Sequence, residues 1–434
     1  MSSFKNILSL VLLVVTPLSI ANTFKTEHWT TKNGVTVVFY QAPEVPMLDI
    51  SIAFAAGSAY DQKSYGLSAL TAQMLNEGSS GIDSTTLAEQ LDNTGAQFDT
   101  TTNKDMVVFS LRTLTSKEEL NQATSTFAQI LNHPDFPQEA LEREKKQFYM
   151  AIAQAQSSPD TMATDVFFQH LYQEHPYAHP TNGTATSIKK IKREEVVQFY
   201  KQYYVANNAT LVFVGAIDSQ TAHQLADKLT LNLSPGKAAA PIDRAPPLAA
   251  AKQVHLPFPS SQTTIRLGQL GIDHSNPHYF PLMVGNYILG GASLTSKLAI
   301  EVREKQGLTY SIESQFVPMP GPGPFVVALS TQNQQVNAAV SLTEEVLNTY
   351  IQNGPSLNEL EAAKNYLKGS FPLSLASNKT IASLLLRMTF YHLPADYLDT
   401  YLDKINKVTQ DDIKKAFQQE VHPKKLLQVT VGQV

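Results

Sequence analysis

Six positions near residue 190 recur at a fixed distance further along the chain. Ile188, Ile191, Glu194, Glu195, Val196 and Gly215 line up with Ile405, Val408, Asp411, Asp412, Ile413 and Gly432, each pair 217 positions apart. Both copies read as a helix with an acidic first turn, placed at the positive end of its dipole. An alternating strand ending in glycine follows, Thr210 to Val214 in one copy and Gln428 to Val431 in the other. A constant offset with matched helix and strand patterns points to a duplicated unit. Between the copies, Ser234-Pro235-Gly236 and Ala245-Pro246-Pro247 cluster proline, glycine and alanine without apolar periodicity, the signature of a linker. The expected organisation is therefore residues 22–232, a linker over 233–250, and residues 251–434.

The rest of the first unit reads as strands interleaved with helices. Thr36 to Tyr40 and Leu48 to Phe54 are β-rich. Leu67, Leu70 and Met74 share one face of a helix over 64–77, and Asp83 and Ser84 open another over 84–94. Phe98 to Asn103 and Met106 to Thr113 flank a Lys104-Asp105 turn as a hairpin. Helices follow over Lys117 to Leu131 and Gln138 to Gln156. Neighbouring hairpin strands among helical blocks predict an α+β fold: two duplicated domains, each a mostly antiparallel sheet packed with helices.

With 434 residues, 43% of them hydrophobic and 16% charged, the chain can bury more than one core. A net charge of −5 leaves no cationic surplus for phosphates, which argues against nucleic acid as a partner. The basic run Lys189-Lys190-Ile191-Lys192-Arg193 is followed at once by Glu194 and Glu195, as expected of a solvated helix approach. There is no cysteine, so disulfides, thiol catalysis and Cys-based zinc sites are excluded.

Residues 1–21 have the pattern of an export signal. Lys5 precedes an apolar run from Ile7 to Val15, Pro17 breaks it, and Ser19-Ile20-Ala21 offers a small-x-small cleavage site. The expectation is an exported protein of the bacterial periplasm without a stable membrane span once the signal is removed. An uncleaved N-terminal anchor is the competing reading.

Tyr65 to Met74 resembles the metal-binding helix of the pitrilysin/insulinase metallopeptidases, in which Gly-Leu leads into His-x-x-Glu-His. Here Ala69 and Gln73 occupy the histidine positions and Ala72 the glutamate position. Alanine has no lone pair to donate, and a Gln amide is a poor zinc ligand beside imidazole or carboxylate. The family's third ligand, a glutamate about 75 residues on, falls near Phe148, Tyr149 and Met150; Glu142 and Glu144 lie upstream of that count. The alternative metal candidate is His170, Glu174, His175 and His179. Pro176 and Pro180 break the helix needed to align the later pair, and the loop His175-Pro176-Tyr177 to Gly183 resembles a structural segment of the family.

The same resemblance is fuller in the second half. Tyr287-Ile288-Leu289-Gly290-Gly291 leads through Ser296-Lys297-Leu298 into Val302-Arg303-Glu304-Lys305-Gln306-Gly307-Leu308-Thr309-Tyr310. Arg303 and Tyr310 keep the spacing of the family's Arg/Tyr pair. Some bacterial members divide the zinc half and the Arg/Tyr half between two proteins. The resemblance therefore implies a non-zinc subunit of a heteromeric zinc metallopeptidase. Arg303 and Tyr310 would act in trans on a peptide substrate, this chain would bind no cofactor, and the zinc would sit on the partner subunit. The competing reading is an inactive peptidase-fold scaffold or peptide-binding protein, and homodimerisation of the isolated chain stays open. The plain structural alternatives are a helix-end charge beside Glu301 or Glu304 for Arg303, and a half-buried strand residue alternating with Ile312 for Tyr310. Pro318 to Pro324 reads as a rigid surface turn.

Overall fold

Strands Met47–Phe54 and Ala209–Gly215 are buried along nearly their whole length, so the sheet they centre must be covered on both faces. A computed structural model describing residues 24–433 shows how; the export-signal pattern lies outside the described residues. The N-terminal sheet runs Thr26–Thr30, Thr36–Gln41, Ala209–Gly215, Met47–Phe54, Val107–Leu114, Gln97–Thr102. All its pairings are antiparallel except that of Thr36–Gln41 with Ala209–Gly215. The C-terminal sheet runs Ile312–Phe316, Pro324–Gln332, Gln262–Leu270, Leu427–Gly432, Lys252–Pro257. Its single parallel pairing, of Leu427–Gly432 with Lys252–Pro257, again involves the strand that closes the unit.

The 217-residue offset extends well beyond the segment in which the sequence displays it. Helix Arg193–Tyr203 has its counterpart in Gln410–Glu420, and strand Val107–Leu114 in Pro324–Gln332. Two duplicated α+β layers result, as expected. Among the described residues no helix is long and apolar enough to cross a membrane.

Each half lends the other a helix. Pro159–Tyr172 leaves the N-terminal half and lies on strands Leu427–Gly432 and Gln262–Leu270, burying Ala163, Phe167 and Leu171 against Leu427, Val429 and Val431. Its counterpart, Asn378–Phe390, lies on Ala209–Gly215 and Met47–Phe54, with Ile381, Leu385 and Leu386 against Val38, Ala53, Val212 and Val214. Each large apolar side chain buried this way is worth about 1.5–3 kcal/mol. The exchange thereby ties the two halves into one unit.

Residues 233–250 form no helix or strand, yet Ala245 and Leu248 pack into the same cluster as Phe167. The turn expected at Pro318–Pro324 is also held down. Tyr172 of the exchanged helix donates to the Pro322 carbonyl at 3.0 Å, and Met319 is buried.

Candidate functional site

The helix that carries Ala69, Ala72 and Gln73 spans Leu67–Met74, shorter than the expected 64–77. Its start is fixed by Gly66 at φ +91° and by Asp61, whose two carboxylate oxygens accept the Gly66 and Ser68 N–H groups at 2.7 Å each. These are orphan donors of a helix N-terminus, answered by one side chain. The segment ending in Gly183 is built against this start. Gly183 has φ +71°, and a Cβ there would lie 2.2 Å from the Tyr65 carbonyl oxygen. The loop after His175 is thus structural, as its resemblance implies.

Ala69 and Ala72 are buried and Gln73 is half-buried. The helix packs on Gln138–Gln156, which brings an arginine to its C-terminal end. Arg143 pairs with Glu77 through one guanidinium nitrogen and lies 3.6 Å from Glu144 Oε1 through Nε. Glu144 is buried. Burial and then the charge on Glu77 push its carboxyl up, with Arg143 opposing. Two carboxylates that could attract a cation are thus already answered by a guanidinium. Two alanines, an amide and an arginine-bound carboxylate pair do not fit zinc. Among the described residues no three His, Asp or Glu side chains form a set able to hold a metal ion.

The later histidines part company in the same way. His170 Nδ1 lies 3.0 Å from Lys252 Nζ. His175 accepts the Tyr177 N–H and reaches the Asp243 carbonyl at 2.7 Å, and His179 stacks on Tyr65 with ring centroids 4.2 Å apart.

In the C-terminal half the structure brings Arg303 and Tyr310 together. Arg303 lies in a π-helical segment, Ala299–Lys305, whose end is closed by the Leu308 N–H bonding to the Val302 carbonyl. The loop beyond is pinned on both sides of Tyr310. Thr331 donates to the Leu308 carbonyl at 2.5 Å, and Thr309 donates to Ser330 O and Ser311 O at 2.7 Å each. The anchored backbone holds Tyr310 outward, 84% exposed, just before strand Ile312–Phe316. The Arg303 guanidinium carbon lies 5.6 Å from the Tyr310 ring centroid, within the range of a cation–π contact.

Arg303 does lie in the last turn of its segment, as the plain alternative has it, but the carboxylate and strand placements of those alternatives differ from what is seen. Glu301 is taken by Lys305 at 2.8 Å, and Tyr310 is an exposed loop residue rather than a half-buried strand one. A cavity of about 120 Å³ adjoins Arg303, bordered by Gly290, Gly291 and Leu294. Gly290 is required there, because a Cβ would come within 2.5 Å of the Ser314 backbone nitrogen.

One cluster is invisible in the sequence. Lys104, Asp105, Asp61 and His179 converge where the halves meet. Burial pushes the Asp61 carboxyl up to about 8, although its two N–H donors and Lys104 pull the other way. Burial depresses Lys104 to about 8 and His179 to about 4. Lys104 donates to the His179 carbonyl, and Asp105 receives phenols from both halves, Tyr177 at 2.5 Å and Tyr391 at 3.0 Å. The sequence marks Lys104-Asp105 only as a turn, and the turn exists, with Asn103 Oδ1 accepting the Asp105 and Met106 N–H groups.

Comparison with known proteins agrees with this architecture. The family model "Insulinase (Peptidase family M16)" matches residues 36–185, and "Peptidase M16 inactive domain" matches residues 190–367. A crystal structure of the peptidase M16 inactive domain from Pseudomonas fluorescens is 36% identical, with a TM-score of 0.91 over 94% of this chain and 98% of that one. The protein named non-peptidase homolog YmxG in Helicobacter pylori is 29% identical over 393 residues, 87% of either chain. The probable mitochondrial-processing peptidase subunit beta of Schizosaccharomyces pombe is 26% identical over 435 residues, covering 94% of this chain and 92% of its own. By its matched models, its two-sheet fold and its 36% identical structural relative, this chain belongs to the insulinase (M16) peptidase family.

Proposed function

We propose that this chain is the non-zinc subunit of a heteromeric zinc metallopeptidase, exported to the bacterial periplasm, that completes a partner's active site with Arg303 and Tyr310. The observation that carries the reading is the pairing of these two side chains, guanidinium carbon 5.6 Å from the ring centroid, on a pinned loop that leaves Tyr310 84% exposed. So exposed and so firmly placed, the phenol is free to reach a group outside its own fold. Leu294, 58% exposed, borders the same cavity as Arg303, so the site is open on the side a partner would cover.

The chemistry asked of the pair is electrostatic. Cleavage of a peptide bond builds negative charge on the carbonyl oxygen. A guanidinium and a phenol fixed in advance stabilise that charge without reorganising. The zinc chemistry belongs to the partner. Membership among subunit-forming relatives such as the Schizosaccharomyces pombe protein supports a heteromer. Mixing this chain with an M16 subunit bearing an intact metal motif from the same host should generate hydrolysis that neither chain shows alone.

A second reading has one observation in its favour, the non-peptidase name of the Helicobacter pylori relative. On that reading the chain is a scaffold or peptide-binding protein. Affinity purification from the native host separates the two, by recovering a zinc peptidase or a complex without one.

A further inference from the structure

A cavity of about 650 Å³ lies in the C-terminal half and shares no lining residue with the Arg303 cavity. Its size is that of a small-molecule site. The lining is aromatic and cationic. Phe280 and Tyr397 supply apolar walls, Lys404 and Lys407 stand at the border, and Lys404 Nζ lies 5.5 Å from the Phe280 ring centroid. Among the described residues, neither lysine has a carboxylate within salt-bridge distance. Asp412, the single acid of the lining, is occupied by the Thr409 N–H at 2.9 Å and the Thr409 hydroxyl at 2.6 Å. His274 stacks on Tyr391 with centroids 4.2 Å apart, and its Nε2 is buried without a hydrogen-bond partner.

We propose that this cavity binds a carboxylate with an aromatic or branched apolar body, the body among Phe280 and Tyr397 and the carboxylate on Lys404 and Lys407. Two sources share that chemistry, the C-terminal residue of a peptide and a free aryl or acyl acid. His274, Tyr391 and His392 also border a second cavity, of about 460 Å³, so a ligand longer than one residue has room to continue. The proposal stands apart from the role of Arg303.

The test is calorimetric titration of the full chain with N-acetyl-Leu-Phe, its C-terminal amide, and 4-phenylbutyrate. The expected result is one site for the acid, at least tenfold weaker binding of the amide, and at least tenfold loss in Lys404→Gln/Lys407→Gln. Arg303→Ala should bind as the wild type does. Binding of 4-phenylbutyrate as tight as the peptide acid assigns the site to free acids; binding of the peptide acid alone assigns it to peptide C-termini. Equal binding of acid and amide, no binding of any probe, or undiminished binding by the lysine variant with wild-type thermal stability would overturn the proposal.

Discussion

Tyr391, near the end of the helix that the C-terminal half lends, donates its hydroxyl to Asp105 Oδ2 at 3.0 Å. Asp105 sits in the hairpin turn of the N-terminal sheet and is buried, so its carboxylate depends on the few donors that reach it. Removing one phenol while keeping its ring, as Tyr391→Phe does, preserves the stack on His274 and deletes only the hydrogen bond. We expect a loss of about 1–3 kcal/mol in denaturant unfolding. A change within error would mean that the contact contributes nothing to joining the halves.

The exchanged helices make a second prediction. Phe167 is fully buried on a sheet that belongs to the other half. Phe167→Ala should cost about 3–5 kcal/mol, and unfolding should remain one cooperative transition for both sheets. Two separated transitions in the wild type would show that the halves are thermodynamically independent.

His179 provides a pH dependence. An unfolded imidazole protonates near 6.5, whereas burial holds folded His179 near 4. The unfolded chain therefore takes up the proton first. The stability contribution is intact above pH 6.5 and is lost as pH falls through 4, by ~3 kcal/mol in full. Asp61, raised from the ordinary carboxylate value to about 8, works in the opposite direction across this whole range, so the readout is the variant's difference from wild type at each pH. His179→Gln should lose less stability than wild type between pH 6.5 and 4; parallel curves would refute the assignment.

Placing histidines at positions 69 and 73 should not create a metal site. Ala69→His with Gln73→His supplies two imidazoles one helical turn apart, but Glu77 and Glu144 stay engaged by Arg143. The double variant should retain well under one zinc per chain after dialysis. Stoichiometric retention would show that Arg143 does not keep Glu77 and Glu144 from a metal ion.

How much of this was legible in the sequence depended on whether the relation is local. Arg303 and Tyr310 are seven residues apart, and a helix end followed by an anchored loop brings them together; the resemblance of that local block to the family's Arg/Tyr segment singled them out. The hairpin around Lys104-Asp105 and the helix at Gln138–Gln156 could be read because turn residues and apolar period mark them directly. The helix at 67–74 starts later than expected because Gly66 at a positive φ precedes it, a conformation that composition does not announce. Helix exchange was not legible at all. Phe167 and Leu385 have the spacing of buried faces, but no periodicity says which sheet will bury them. Arg143 was missed for the same reason, since its pairing with Glu77 exists only once two helices are packed.

The central claim is that this chain serves a zinc site it does not carry. The most direct measurement is the turnover of a fluorogenic peptide by the complex reconstituted from this chain and a zinc-bearing M16 subunit. Wild-type, Arg303→Ala and Tyr310→Phe chains are compared at equal complex formation. Each variant is expected to lower kcat by roughly 10²–10³-fold while assembly is unchanged. Full turnover in both variants, or hydrolysis with stoichiometric zinc by this chain alone, would contradict the account.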